Sequence, residues 1–461
     1  MGLNSLILLA AFIHFFAGCR PAPPPGGAPG IVTDPAIIAD QMESVLDTEL
    51  GRWFPLCIDT LCGGYLSDLD YRWVPAGPQD KMIVTQARHI WSASHAAMYS
   101  RRNRPLLAAA AHGVRFLREH MWDGTYGGFY ELVTRTGEPR GQDGMIVKTA
   151  YGNAFAIYGL AAYFKASGDT AALSFAREAF IWLEHHSYDS LDGGYYQFIT
   201  REGKPFQDGY RGTPPKDQNS TIHLLECCTE LYGVWPDPAL NARLGSLLRL
   251  VRDRITNGKG YMNLFFTRDW TPVTWGGESA ETRAAHYDID HISFGHDVET
   301  TYLMLEASAA LGHRDDPATI AAGKKKVDYA LRYGWDRNRG GLYDGGFESA
   351  VDGSVAIVRD SKEWWAQVEA LNTFLLMSVL YPGDTLRYYE KFCTQWAFCD
   401  RYLIDKENGG WYWDALDTKP EARRSPKGSI WKAEYHTSRA LMNCITRLHA
   451  MAPRGERPAA R

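Results

Sequence analysis

The sequence lacks the features that would mark a nucleic-acid-binding, zinc-binding or membrane-spanning protein. It carries a net charge of −5 and no run of basic residues, so nothing in it favours nucleic acid as a partner. Its eight cysteines form no CxxC and no Cys/His spacing typical of zinc sites. The apolar run from Leu3 to Phe16 is too short to span a bilayer as a helix.

What the sequence contains is the composition of a folded, soluble body. Its 461 residues are 45% hydrophobic, 22% charged and 13% aromatic, and they are well supplied with Trp and Tyr. A chain of this length holds two or three ordinary domains or one large domain built from repeats. The repeats described below favour one large domain, which we place at residues 37–452.

The first nineteen residues differ from the rest of the chain. The apolar run ends in Phe16-Ala-Gly-Cys19, which resembles a bacterial lipoprotein signal peptide at 1–19 and implies cleavage before Cys19 and its lipidation. Pro and Gly dominate residues 20–36, which we interpret as a linker, and we expect 453–461 to be a disordered tail. These segments predict an extracytoplasmic, lipid-anchored protein facing the periplasm, and we separately expect a monomer. The alternative is a cytoplasmic protein whose first residues are not a signal.

The cysteines leave the redox state of the protein open. Cys57 and Cys62 are close enough in sequence to form a local disulfide in an exported protein. The others after Cys19 fall in helical, mostly apolar contexts and are predicted to be free core residues: Cys227, Cys228, Cys393, Cys399 and Cys444.

A repeat with two glycines and aromatic residues organises the chain into six units. Copies lie roughly 64 to 80 residues apart, at Gly63-Gly-Tyr65, Gly127-Gly-Phe-Tyr130, Gly193-Gly-Tyr-Tyr196, the degenerate Gly258-Lys-Gly-Tyr261, Gly340-Gly-Leu-Tyr343 and Gly409-Gly-Trp-Tyr-Trp413. Each interval has room for two amphipathic helices, and each Gly-aromatic loop predicts a small β-hairpin. Six helix pairs can stack openly or close into a ring, because each unit buries its apolar face on its neighbours.

A second periodicity favours the closed ring. One polar or aromatic residue recurs inside each interval, about 63 to 73 residues apart: Arg88, Tyr151, His223, His296, Trp365 and His436. If all six lie on inner helices they line one central pocket, because buried polar groups on a shared axis need partners. The sequence therefore predicts an all-α fold of six helix pairs around a functional pocket, with short β-hairpins.

The segment from His291 to Thr300 supplies the most reactive group of this pocket. We expect Gly295 to provide a bend before a helix, and His296 and Glu299 to form a pair on one helix face. An imidazole gives and takes protons near neutral pH because its ordinary pKa is about 6.5. The pair is therefore a candidate acid/base group.

Six motifs resemble, in order and spacing, the N-acylglucosamine 2-epimerase superfamily and are most similar to cellobiose 2-epimerases. They are Arg88-His-Ile-Trp91, Lys148-Thr-Ala-Tyr-Gly-Asn-Ala-Phe-Ala-Ile-Tyr-Gly-Leu160, Asn219-Ser-Thr-Ile-His-Leu-Leu-Glu226, Ser293-Phe-Gly-His-Asp-Val-Glu299, Trp364-Trp-Ala-Gln-Val-Glu369 and Trp431-Lys-Ala-Glu-Tyr-His436. The resemblance runs from about residue 40 to 450. It implies an (α/α)6 barrel, which agrees with the six helix pairs counted above.

The resemblance also implies roles for individual residues. His296 and His436 would be the acid/base pair, and His223 a third imidazole near the reacting carbons. The sugar would be held or its subsites shaped by Arg88, Tyr151, Phe155, Asn219, Glu299, Trp365, Glu369 and Trp431. The chain departs from the usual family pattern at Asn153, Asp217, Gln218, Phe294 and Glu434, which leaves the choice among disaccharides open.

The implied activity is reversible C2 epimerisation of the reducing-end glucose of β-1,4-linked disaccharides, cellobiose first and lactose as a second substrate. It needs neither cofactor nor metal, since imidazolium and arginine can activate the carbonyl group. Alternatives within the family are mannobiose 2-epimerase, N-acylglucosamine 2-epimerase and mannose isomerase. Three alternatives lie outside the family: a glycoside hydrolase using Glu299 and Glu369, an anchored glycan-binding protein, and a metal site built from His223, His296, His436 and a carboxylate.

Overall fold

Thirteen α-helices make up most of the part of the chain that the structure, a computed structural model, describes: residues 30–99, 103–141 and 144–451. The signal peptide predicted at 1–19, its Cys19, most of the linker and the tail at 453–461 lie outside the described residues. The first helix of the described residues begins at Pro35.

Twelve of these helices form two concentric layers. The outer helices are α1 (Pro35–Leu56), α3 (Asn103–Phe116), α5 (Thr170–His186), α7 (Pro238–Leu250), α10 (Pro317–Tyr333) and α12 (Tyr388–Tyr402). The inner helices are α2 (Ile83–Tyr99), α4 (Ala150–Ser167), α6 (Gln218–Val234), α9 (Phe294–Ala310), α11 (Trp364–Leu380) and α13 (Tyr435–Met451). The short α8 (Ala280–Ala285) lies in the long segment before α9.

The inner helices close into a ring. Each contacts the next in chain order, and α13 contacts both α11 and α2, so the last unit packs on the first. The inner helices are buried on nearly every side, whereas outer helices such as α10 expose one polar face. Four outer helices begin with an aspartate cap that accepts backbone hydrogen bonds, at Asp34, Asp169, Asp237 and Asp316. The predicted (α/α)6 barrel is confirmed.

The six Gly-aromatic loops each fold back on themselves through one antiparallel bridge, so the predicted hairpins form. The bridges are Ile58↔Tyr65, Trp122↔Phe129, Tyr188↔Tyr195, Thr256↔Met262, Trp335↔Leu342 and Ile404↔Trp411. Glycine is required here: Gly127 and Gly128 both have positive φ, and a Cβ on Gly128 would lie 2.6 Å from the ring of Trp182.

Short strands join neighbouring repeats. β1 (Lys81–Met82) pairs with β2 (Leu132–Val133), β3 (Val147–Thr149) with β4 (Phe198–Thr200), and β5 (Lys216–Asp217) with β6 (Phe265–Phe266). β7 (Ile292–Ser293), β8 (Gly345–Glu348) and β9 (Val355–Arg359) form a three-stranded sheet, and all the pairings are antiparallel. Each of β1, β3, β5 and β7 leads directly into an inner helix and so fixes where that helix begins.

Five buried Lys–Asp pairs tie each of five hairpins to the segment before the next inner helix. The pairs are Lys81–Asp59, Lys148–Asp123, Lys216–Asp189, Lys362–Asp336 and Lys427–Asp405, with N···O distances of 2.7 to 3.1 Å. In the remaining repeat the equivalent positions are Asn257 and Ile292, so both charged partners are replaced together. These pairs hold the loop end of the barrel, where the pocket opens.

The described residues show the state of the Cys57 and Cys62 thiols and the character of the helices. Cys57 and Cys62 are free thiols, and no disulfide joins them. Among the described helices, none combines the length and the apolar character needed to cross a bilayer.

Candidate active site

The six residues that recur at regular spacing all lie in the first two turns of inner helices. One residue comes from each: Arg88 on α2, Tyr151 on α4, His223 on α6, His296 on α9, Trp365 on α11 and His436 on α13. The contacts described below bring them together at one end of the barrel axis.

His223 is held by a carboxylate on its own helix. Its Nδ1 lies 2.8 Å from Oε2 of Glu226, and both side chains are buried. The ring centroids of Phe155 and Tyr151 lie 4.7 and 5.3 Å from that of the imidazole. Burial alone would raise the pKa of Glu226, but Arg439 and the imidazole lower it to about 2. The imidazole is therefore fixed against an ionised carboxylate through Nδ1.

His436 is held by a carboxylate from another helix. Its Nδ1 lies 2.7 Å from Oε1 of Glu369 on α11 and 3.8 Å from Oε1 of Glu299 on α9. Burial lowers the pKa of His436 well below its usual value, and Arg88 lowers it further. We therefore treat His436 as a neutral imidazole whose Nδ1–H donates to a carboxylate.

His296 does not pair with Glu299, so that sequence prediction is wrong. Its Nδ1 lies 2.7 Å from Oγ of Ser293, the residue before α9. Glu299 instead accepts a hydrogen bond of 2.6 Å from Arg439. The spacing does place both residues on one side of the helix, but the guanidinium binds the carboxylate one turn deeper in the barrel. Burial and the neighbouring imidazoles lower the pKa of His296 to about 3, so it too is neutral.

Gly295 also differs from expectation. It lies within α9 rather than at a bend, and its φ is not in the left-handed region. A Cβ at this position would lie 2.6 Å from Cβ of Ala366 and 2.7 Å from the ring of Trp365. Glycine is therefore needed for the close approach of α9 and α11 beside His296.

Arg439, which the sequence analysis missed, joins the carboxylates of the site. Its Nη2 donates to Oε1 of Glu299 at 2.6 Å and to Oε1 of Glu369 at 2.7 Å, and its Nη1 donates to Oε1 of Glu226. The side chain is buried, so one guanidinium balances carboxylates from three helices. A signal was present in the sequence, because Arg439 follows His436 by three residues and so shares its helix face.

Arg88 is held at the wall formed by α2 and α4. Its Nη1 donates to the carbonyl oxygen of Trp431 at 3.2 Å, and its Nη2 donates to the hydroxyl of Tyr151 at 3.0 Å. The guanidinium carbon lies 4.6 Å from the ring centroid of Phe155 and 5.2 Å from that of Tyr435. Its Nε has no hydrogen-bond partner among the described residues. Arg88 is thus a buried cation whose Nε–H is available to donate.

Two tryptophans border the pocket. The centroid of Trp365 lies 4.7 Å from that of His296 and 5.9 Å from that of His436. A hexose lying against this indole could therefore contact both imidazoles. Trp364 is buried, so the adjacent pair is divided between the core and the pocket. Trp431, just before α13, is 49% exposed at the mouth.

A cavity of about 160 Å³ opens beside His296. Asn219, at the start of α6, lines it together with His296, so this predicted sugar-binding residue lies next to a predicted catalytic one. Asp217 and Gln218 line the same cavity. Both residues depart from the usual pattern of the family that the sequence resembles, and the sequence alone predicts no role for them.

One group among the described residues has the spacing of a metal site. Ligand atoms of Glu299, Glu369 and His436 lie within 4.8 Å of one another. Arg439 already donates to Oε1 of both glutamates, and its positive charge opposes a cation between them. We assign these carboxylates to Arg439.

Comparison with known families covers most of this barrel. The sequence model of the family described as N-acylglucosamine 2-epimerase (GlcNAc 2-epimerase) matches residues 64–440, from the first Gly loop to the last inner helix. The chain belongs to the N-acylglucosamine 2-epimerase family. All six residues at the inner-helix positions lie within the matched range.

Curated relatives of this family member cover nearly its whole folded body. The cellobiose 2-epimerase of Bacteroides fragilis is 28% identical over 417 residues, which span 89% of this chain and 99% of the relative. The cellobiose 2-epimerase of Ruminococcus albus is 29% identical over 394 residues, which span 84% and 92%. The solved structure of a cellobiose 2-epimerase from Spirochaeta thermophila matches with a TM-score of 0.76 at 31% identity, covering 90% of this chain and 97% of that one. This family member is therefore an enzyme of the isomerase class, an epimerase.

Proposed function

We propose that the enzyme inverts C2 of the reducing-end glucose of β-1,4-linked disaccharides, converting cellobiose reversibly to 4-O-β-D-glucopyranosyl-D-mannose and acting also on lactose. The proposal depends on one observation: two imidazoles from separate repeats, His296 and His436, both contact Trp365 and so can reach one sugar ring. We choose cellobiose as the substrate because the relatives are named cellobiose 2-epimerase.

The reaction explains why two imidazoles are needed. Once the sugar ring opens, the aldehyde at C1 acidifies the proton on C2. A base removes that proton, the electrons move onto the C1 oxygen to give an enediolate, and a proton returns to the opposite face of C2. Groups on two sides of C1–C2 perform this without moving the substrate.

The partners of the two imidazoles suit them to different roles. Nδ1–H of His436 donates to Glu369, which leaves Nε2 unprotonated as the base. His296, whose Nδ1 is hydrogen-bonded to Oγ of Ser293, supplies the other proton as an imidazolium in the reacting complex and is left neutral when its Nε2 gives that proton to C2. When His436 takes the C2 proton, Glu369 stabilises the imidazolium that forms there. The pair carries one extra proton before and after the reaction, so the reverse reaction exchanges the roles.

Arg88 is the group that stabilises the developing negative charge. A guanidinium donates hydrogen bonds in a fixed planar geometry and keeps its charge at any working pH. Its apolar neighbours Phe155 and Tyr435 lower the local dielectric, which strengthens its attraction for an oxyanion. Tyr151, which is bound to Nη2, keeps the guanidinium in place.

A glycoside hydrolase would need a proton-donating carboxyl group facing the substrate. Glu299 and Glu369 are each about 1% exposed or less, and both are hydrogen-bonded to Arg439, so neither is placed to protonate a glycosidic oxygen. Structural matches to glycoside hydrolase family 76 proteins at 10 to 12% identity reflect the barrel fold alone.

The test is an NMR product analysis with cellobiose, lactose, mannobiose, mannose and N-acetylglucosamine as separate substrates. A C2 epimer from cellobiose at the highest kcat/KM supports the proposal. A ketose product, free glucose, or preference for another of these sugars would replace it with the corresponding alternative.

We further propose that Cys19 is lipidated and anchors the enzyme outside the cytoplasm. The proposal depends on the sequence from Phe16 to Cys19, which precedes the described residues. Radiolabelled palmitate incorporated into the wild type but not into Cys19→Ser supports it. An unlabelled protein in the cytoplasmic fraction would contradict it.

A further inference from the structure

Two buried side chains of the cavity beside His296 have oxygen atoms without a hydrogen-bond partner. Asp217 is 4% exposed and Gln218 is 3% exposed, yet within the described part of the chain Oδ2 of the first and Oε1 of the second have no hydrogen-bond partner. Both residues line the cavity of about 160 Å³ that His296 and Asn219 also line. Buried polar atoms normally have a partner, so these two point to a ligand that supplies hydrogen-bond donors.

The position of both residues is fixed by local structure. Asp217 ends β5 and caps α6, and its Oδ1 accepts a hydrogen bond of 2.6 Å from the backbone N–H of Ser220. The backbone N–H of Gln218 donates to the carbonyl oxygen of Leu264 at 2.8 Å. The cap uses one carboxylate oxygen of Asp217 and leaves the other free. The two residues that carry the unpaired acceptors are therefore consecutive at one strand-to-helix junction, and each is fixed there by a backbone hydrogen bond.

The cavity has the size and the walls for a sugar ring. A cavity of about 150 Å³ accommodates a six-membered ring such as benzene. Phe265 and Leu264 provide apolar surface for C–H groups, while the unpaired oxygens call for hydroxyl hydrogens. A carboxylate also repels anionic ligands, which excludes phosphorylated sugars from this position.

We propose that Asp217 and Gln218 are specificity-determining residues that accept hydrogen bonds from hydroxyl groups of the reducing-end hexose other than O1 and O2. This inference rests on the proposed function, because it places the reacting hexose in the cavity beside His296. Neutral, hydroxyl-rich sugars fit the two acceptors. Sugars that lack the contacted hydroxyls leave both acceptors buried and unpaired, and they bind poorly for that reason.

Asp217→Asn tests the acceptor without removing the helix cap. The backbone N–H of Ser220 needs an oxygen, so the Asn side-chain oxygen takes the cap and its NH2 group replaces Oδ2 in the cavity. The NH2 group of Asn, a hydrogen-bond donor, then faces the hydroxyl hydrogens of the sugar. We expect KM for cellobiose to rise about 10-fold or more with kcat changed less. Gln218→Met keeps the shape and removes the acceptor, and Gln218→Glu retains an acceptor and should keep KM closer to the wild-type value.

The matched control is Asp169→Asn, which makes the same change at the cap of α5, outside the cavity. It should leave KM within about twofold of the wild type, since Asn caps helices as well as Asp does.

The deciding experiment compares cellobiose with analogues that lack one hydroxyl on the reducing glucose. The wild type should discriminate against at least one analogue by about 10-fold or more, and Asp217→Asn or Gln218→Met should lose most of that discrimination. Discrimination that is unchanged in both variants would overturn the inference.

Calorimetric titration with cellobiitol, the unreactive reduced form of cellobiose, separates this inference from the proposed function. Weaker binding by Asp217→Asn than by Asp169→Asn supports the acceptor pair even if cellobiose is not epimerised. Equal binding by these two variants overturns the acceptor pair even if the wild type epimerises cellobiose.

Discussion

Arg439 and His436 hydrogen-bond to the same oxygen atom, Oε1 of Glu369, each at 2.7 Å. The guanidinium therefore helps to keep ionised the carboxylate that fixes the tautomer of His436. Arg439 also donates a hydrogen bond to Glu226, the carboxylate that holds His223. One side chain thus connects the two His–Glu pairs of the site.

Replacing Arg439 should disable the enzyme and change its pH dependence. Arg439→Met leaves Glu226, Glu299 and Glu369 without their shared cation, and a positive charge that lowers the pKa of His436 is lost. We expect kcat/KM to fall about 100-fold or more and its acid limb to move to higher pH. Arg439→Lys should restore part of the rate, because a lysine keeps the charge but cannot donate to several carboxylates in one plane. A pH–rate profile unchanged in Arg439→Met would contradict this role.

The acid limb of kcat/KM should lie below the ordinary histidine pKa of about 6.5. A base acts only when unprotonated, so activity is lost as the pH falls through its pKa. Burial lowers the pKa of His296 to about 3 and lowers that of His436 as well. The rate with cellobiose should therefore not fall from pH 7 to 5, measured with thermal unfolding at each pH to exclude loss of the fold. A limb centred near 6.5 would show an imidazole exposed to solvent.

Gly295→Ala should harm the enzyme although alanine favours helices. The new Cβ would meet Ala366 and Trp365 and push α11 away from His296. We expect a lower melting temperature and a loss of activity. Gly51→Ala in α1 is the control: nothing lies within 4 Å of its added Cβ, so it should raise stability by about 0.5–1 kcal/mol. Equal effects of the two variants would contradict the packing argument.

The two residues of a Lys–Asp pair should be coupled in their effect on the unfolding free energy. Lys427→Met leaves Asp405 buried without its cation and should cost about 3–5 kcal/mol of unfolding free energy. Changing Asp405→Asn as well should recover much of that loss, because Asn257 and Ile292 show an uncharged pair at the equivalent positions of another repeat. Denaturant unfolding of both single variants and the double variant measures the coupling. Additive losses would contradict it.

The same pair should make stability depend on acid pH. Burial opposes ionisation of Asp405, but Lys427 and the loop hydrogen bonds lower its pKa to about 2. A carboxyl group with a lowered folded-state pKa stabilises above its unfolded value of about 4, and this stability is lost as the pH falls towards 2. Asp405→Asn should therefore unfold with a weaker pH dependence between 4 and 2 than the wild type. Identical slopes would contradict the assignment.

The sequence predicted the barrel and the inner-helix residues because both leave periodic signals. Gly-aromatic loops recur at a regular interval, and Arg88, Tyr151 and His223 each occur once between successive loops. The partners within the site could not be read in this way. Glu299 pairs with Arg439 across the axis rather than with His296 on its own helix, because a guanidinium cation binds a carboxylate more strongly than a neutral imidazole does. Arg439 is not one of the residues that recur at a regular interval, so no periodic signal marks it.

The most direct test of the account is to incubate the protein with cellobiose in heavy water and locate the exchanged hydrogen by NMR. The wild type should place one deuterium at C2 of the new mannose unit, and folded His296→Ala and His436→Ala should each place none there. Deuterium at C2 in both variants at the wild-type rate would contradict the two-imidazole site.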